Sequence, residues 1–89
     1  MDFEWDAVKA QSNLAKHRVS FESSVRVFLD PNVVDFDVSK PGDDEDRHKA
    51  VGRIEGRLFT LVYTLRGNVI RVISARRSNG SEVRRYDQI

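Results

Sequence analysis

The sequence contains no cysteine, which excludes disulfide stapling and thiolate chemistry from the outset. Such a chain suits a reducing compartment. No apolar run approaches the ~18–20 residues that a membrane-spanning helix needs. The opening residues, Met1-Asp2-Phe3-Glu4-Trp5-Asp6, are acidic and lack the apolar stretch of a signal peptide. These absences predict a cytoplasmic protein with no membrane partner. Histidine is scarce too: His17 and His48 fall in separate segments, so a histidine-rich metal site is not expected. The acidic run Asp43-Asp44-Glu45-Asp46 lacks the spaced ligands and closing glutamate of a calcium loop and reads as a solvated loop. P-loop, dinucleotide-binding glycine, HExxH and GxSxG signatures are missing. No metal and no cofactor is expected.

What is present is an ordinary globular balance, with 39% apolar and 33% charged residues, too rich in apolar groups for a disordered chain. A chain of 89 residues predicts one domain over residues 1–89 with a small core. The net charge of +1 conceals an asymmetry. From Arg66 onward six arginines (66, 71, 76, 77, 84 and 85) face only Glu82 and Asp87, a local excess of four positive charges, so the rest carries three net negative ones. A basic segment on a near-neutral chain points to a local anionic partner. Its cations are all arginine, which suits bidentate recognition of phosphate or carboxylate.

Phe3 and Trp5 alternate with acids, as in a short strand. Asp6 offers an N-cap for a helix over Ala7–Arg18, with a thin apolar stripe at Ala7, Ala10, Leu14 and His17. Ser20 offers another, for a helix with Phe21, Val25, Phe28 and Leu29 on one face, ended by Asp30-Pro31. The period then changes. Strands are predicted at roughly residues 33–38, 47–54, 58–64 and 69–75, with turns at Glu55-Gly56 and Arg66-Gly67-Asn68. A short helix over Ser78–Tyr86 closes the chain. The fold class expected is α+β: an antiparallel four-stranded meander with the two N-terminal helices on one face and a short C-terminal helix.

The stretch Asn13-Leu14-Ala15-Lys16-His17-Arg18-Val19-Ser20-Phe21 resembles the NLxKHGVSF segment of BrnT toxins, and Ile73-Ser74-Ala75-Arg76-Arg77 resembles their IISARR segment. Phe3-Glu4-Trp5-Asp6, Val27-Phe28-Leu29-Asp30-Pro31, Val51-Gly52-Arg53 and Glu82-Val83-Arg84-Arg85-Tyr86 add matches in the same order. The resemblance implies a RelE-like fold and a metal-independent ribonuclease. It also implies a BrnA-like, DNA-binding antitoxin as partner, with operator DNA reached only through the complex. The chain departs from the family pattern in two places. Arg18 stands where the family has the glycine that closes the first helix, and Ser78-Asn79-Gly80-Ser81 weakens the start of the last.

Metal-free RNA cleavage uses the ribose 2′-OH as nucleophile on its own phosphate, with a base, an acid and cations around the phosphorane. The candidate catalytic residues are Lys16, His17 and Arg76, histidine being the side chain whose ordinary titration lies nearest neutrality. The candidate RNA-binding residues are Trp5, Arg71, Arg77, Arg84, Arg85 and Tyr86. Six of these have a plainer alternative: His17 and Trp5 as packing residues, Tyr86 likewise, Arg71 as a snorkelling strand residue, Arg84 and Arg85 as a solvated face or an antitoxin patch. Two other functions also fit this chain: a catalytically weak nucleic-acid-binding corepressor, or an antitoxin-binding interaction domain.

Overall fold

The computed structural model describes residues 1–88. Its first strand, β1 (Asp2–Glu4), is ended by Asp6, whose carboxylate accepts from the N–H groups of Val8 and Lys9 and starts α1 (Ala7–His17). Arg18 closes that helix in the left-handed conformation, at φ 58° and ψ 30°, and donates its N–H to the Leu14 carbonyl. A side chain there costs about 1 kcal/mol relative to glycine.

Ser20 caps α2 (Phe21–Ser24), which tightens into a 3-10 helix over Val25–Leu29. The expected regular helix is therefore corrected. With three residues per turn, Phe21, Ser24 and Val27 come to lie on the buried side, and Leu29 is left 80% exposed. The stripe on α1 shifts as well. Asn13 is its buried residue, while Ala7 and Leu14 face outward.

Four strands follow: β2 (Val34–Asp37), β3 (His48–Ile54), β4 (Arg57–Arg66) and β5 (Val69–Arg77). They form the expected antiparallel meander, and the sheet order is β1-β5-β4-β3-β2. The sheet has five strands, not four, because β1 pairs in parallel with the outer edge of β5, Phe3 opposite Ile70 and Glu4 opposite Arg71. Glu55 and Gly56 make the two-residue β3–β4 turn, both at positive φ as a type I′ turn requires.

Successive strand residues point to opposite faces. Ala50, Gly52, Leu61, Val72 and Ala75 take the face covered by α1, α2 and the 3-10 helix. The 3-10 helix approaches so closely that a Cβ on Gly52 would stand 2.7 Å from the Val27 carbonyl oxygen. Lys49, Val51, Thr60 and Arg76 take the other face, where α3 (Gly80–Tyr86) packs against β3. The third helix thus lies across the sheet from the first two. Asn79 starts it through a reciprocal capping box with Glu82, which compensates for the weak Ser78–Ser81 sequence.

Candidate functional site

The C-terminal end of α1 lies against β5. Its anchor is Asn13, whose side-chain amide donates to the carbonyls of Ala75 (2.8 Å) and Val19 (3.0 Å) and accepts from the Ala75 N–H (3.1 Å). β1 pairs with β5 only as far as Arg71, so at Ala75 the amide of Asn13 takes the place of a neighbouring strand. One turn further on, Lys16 and half-buried His17 border an open cleft of about 270 Å³, shared with Lys9, Ser12, Ile73 and Ser74.

Ser74 connects this cleft to the α3 side of the sheet. It pairs with Val62 in β4, and Thr60, Val62 and Thr64 alternate onto one face of that strand. Lys49, Ser74, Arg71 and Arg76 are opposite these residues, so all four share the face. Arg71 reaches Glu4 at 3.5 Å. Thr64, its cross-strand neighbour, is 1% exposed and its hydroxyl has no partner among the described residues. α1 thus comes within one strand residue of Arg76, but the Arg76 guanidinium turns elsewhere.

Its partner is Glu82, 2% exposed. Arg76 Nη1 and Nη2 grip Glu82 Oε1 and Oε2 at 2.7 and 2.8 Å. Lys49 Nζ donates to Oε2 at 2.9 Å, and Oε1 also accepts from the Thr60 hydroxyl and the Asn79 N–H, each at 2.9 Å. Because Thr60 donates there, Ser78 donates to Thr60, at 2.8 Å. Burial alone would raise the Glu82 pKa; Arg76, the Asn79 N–H, Lys49 and Thr60 together hold it down at about 2. Arg76 is correspondingly held above its usual value, mainly by Glu82.

The remaining sequence-predicted residues scatter. β5 runs on through Arg77, so Arg76 and Arg77 point to opposite faces and do not act side by side. Arg77 lies 6.0 Å over Phe59. Trp5 is half-buried, edge-on to Phe21 at 5.9 Å. Tyr86 is 5% exposed, donates to Asp30 at 2.7 Å and carries Arg53 5.5 Å over its ring, so it anchors α3 instead of offering a base an open surface. Arg84 and Arg85 are exposed on α3, and Arg85 covers Phe36 at 3.9 Å. Sequence reasoning missed Asn13, Lys49, Thr60 and Glu82. Asn13 and Glu82 lie inside the quoted motifs, and only Glu82 carried a local signal, as an acid three residues after an N-cap.

The positions of these groups suit chemistry on a phosphodiester: an imidazole and an ammonium at a cleft, and three further cations, Lys49, Arg71 and Arg76, on the adjoining sheet face. A comparison with curated proteins gives no match. Residues 5–82 match a family model described as a ribonuclease toxin, BrnT, of type II toxin–antitoxin systems.

Proposed function

The chain belongs to the BrnT family of ribonuclease toxins of type II toxin–antitoxin systems, and we propose that it cleaves RNA without a metal by 2′-OH attack on the adjacent phosphate. In this reading His17 takes or returns the proton, and Lys16 beside it neutralises a phosphate oxygen. Arg76 and Arg71 draw the RNA strand along the sheet face, and Arg77, Arg84 and Arg85 attract it from the periphery. The observation that carries the reading is the cleft itself. Lys16 and His17 meet Ser74 there, and Ser74 shares a sheet face with Arg71, Arg76 and Lys49.

The same reading gives the chain a BrnA-like antitoxin as partner, a RelE-like fold and the cytoplasm as its site of action. The antitoxin supplies the DNA contacts, and operator DNA is bound only by the complex. No described helix is long and apolar enough to cross a membrane.

The test is induction of the chain alone in a bacterial host, followed by growth and total RNA. Growth arrest with RNA decay is expected, lost with His17→Ala and relieved by co-expression of the antitoxin. Arrest with intact RNA would contradict the reading.

A further inference from the structure

Glu82 is an acid at the centre of a surface proposed to bind RNA. Simple electrostatics would assign it a negative role, since each carboxylate near a phosphate weakens binding. The donor count on its partners points the other way.

Arginine has five N–H donors in a rigid plane. In Arg76, Nη1 uses both of its donors, one on Glu82 Oε1 at 2.7 Å and one on the Arg77 carbonyl at 3.3 Å. Nη2 uses one, on Glu82 Oε2 at 2.8 Å. Among the described residues, what remains is Nε–H and the second Nη2 hydrogen, which lie along a single edge of the plane. That edge is the fork by which arginine grips a phosphate in bidentate fashion. Lys49 Nζ shares Oε2 with Arg76 and has two donors left among the described residues. The two cationic nitrogens are therefore neighbours across one oxygen atom. Both side chains keep about a quarter of their surface open (26% for Arg76 and 25% for Lys49), whereas the carboxylate beneath is at 2%. Thr60, Ser78 and Asn79 fix the carboxylate from below.

We infer that Glu82 is a positioning residue, holding Arg76 and Lys49 as a fixed pair whose free donors bind one phosphodiester of the RNA strand. The inference rests on the ribonuclease reading for the identity of the anion. A free arginine or lysine would have to be ordered when RNA binds; here the ordering is built into the folded chain. The site sits on the same sheet face as Ser74, so it would align the strand with the Lys16–His17 cleft.

The test compares wild-type protein with Glu82→Gln and Lys49→Met. The probes are a cleavable RNA oligonucleotide and its 2′-O-methyl analogue, with thermal unfolding measured alongside. Glu82→Gln keeps the shape but removes the charge that orients both cations. The expected result is a fall in kcat of about 10- to 100-fold, the scale of a misplaced binding group. The analogue should bind no more tightly despite the added positive charge. Lys49→Met leaves Arg76 paired with Glu82, and should weaken analogue binding and lower the salt-dependence slope by roughly 0.7. The inference is overturned if folded Glu82→Gln retains kcat and binds the analogue more tightly with a steeper salt dependence, because the carboxylate would then only neutralise. It is equally overturned if Lys49→Met changes neither affinity nor slope, a measurement that stands even where Glu82→Gln does not fold. Wild-type protein that binds the analogue through Lys49 and Glu82 yet cleaves no RNA would support the phosphate site and remove the ribonuclease reading.

Discussion

On the side of α1 and α2, the sheet is sealed by Val27, Leu61, Val72 and Ala75, none more than 1% exposed. On the α3 side, a carboxylate at 2% exposure is surrounded by five donors, and two of its partners are cations that remain partly open. The first face is held by surface removed from water, which involves no ionisable group. The second is held by charge-assisted hydrogen bonds, which are geometrically exact and sensitive to ionisation. The contrast suggests a division of labour in a small chain: one face supplies stability, and the other fixes the directions of groups that meet a charged partner.

The largest effect expected from this contrast lies on the apolar face. Leu61→Ala should cost about 3 kcal/mol, through lost transfer energy and an unfilled cavity. It should leave the salt dependence of RNA binding unchanged, as chemical denaturation and binding titrations can check. A change in salt slope would mean that the two faces are not independent.

Next comes Glu82→Ala, expected to cost about 2–3 kcal/mol, toward the lower end for a broken buried pair because its cations are partly solvated. Its pH signature sharpens the comparison. Glu82 falls from the ordinary glutamate value of 4.5 to about 2 in the folded chain. The stability it contributes is therefore complete above pH 4.5 and lost as pH drops towards 2. Wild-type stability should fall across that window, and the fall should be smaller in Glu82→Ala. Parallel curves for the two proteins would remove Glu82 as the acid-sensitive element.

Asn13→Ala tests the seam between the faces. It leaves the Ala75 N–H and carbonyl without their strand substitute, at a cost of about 1–3 kcal/mol. It should also release the Lys16–His17 end of α1 and reduce RNA cleavage by more than its stability loss explains. The smallest effect expected is a gain. Arg18→Gly relieves the left-handed residue and should stabilise by about 1 kcal/mol in thermal unfolding, since Arg18 itself is exposed.

Strand pattern, turn chemistry and caps made most of the fold legible in the sequence. The antiparallel meander follows from short turns such as Glu55-Gly56, and the helix starts follow from Asp6 and Ser20. Three things were not legible. β1 is too short for its periodicity to name a partner, and its pairing with β5 depends on contacts far apart in sequence, such as Glu4 with Arg71. The 3-10 turn at Val25–Leu29 comes from the close approach of Val27 to Gly52, which no local propensity records. The side of the sheet taken by α3 is set by Glu82 meeting Lys49, Thr60 and Arg76, brought together only by the fold. For the candidate site, the motifs pointed to Lys16, His17 and Arg76. They gave no sign that Arg76 is tied to an acid, so Arg76→Ala is not the clean probe that a free strand-end arginine would be. Arg76→Lys keeps the charge and loses the fork, and is the better one.

The central claim is metal-free cleavage through a ribose 2′-OH, and one substrate tests it directly. An oligodeoxynucleotide carrying a single ribonucleotide is incubated with purified protein in excess chelator, and the product ends are identified by mass. The account predicts one cut, immediately 3′ of the ribonucleotide, leaving a 2′,3′-cyclic phosphate and a 5′-hydroxyl, with the rate strongly reduced in His17→Ala. Cleavage at deoxynucleotides, a 3′-hydroxyl product, or activity that vanishes with the chelator would contradict it.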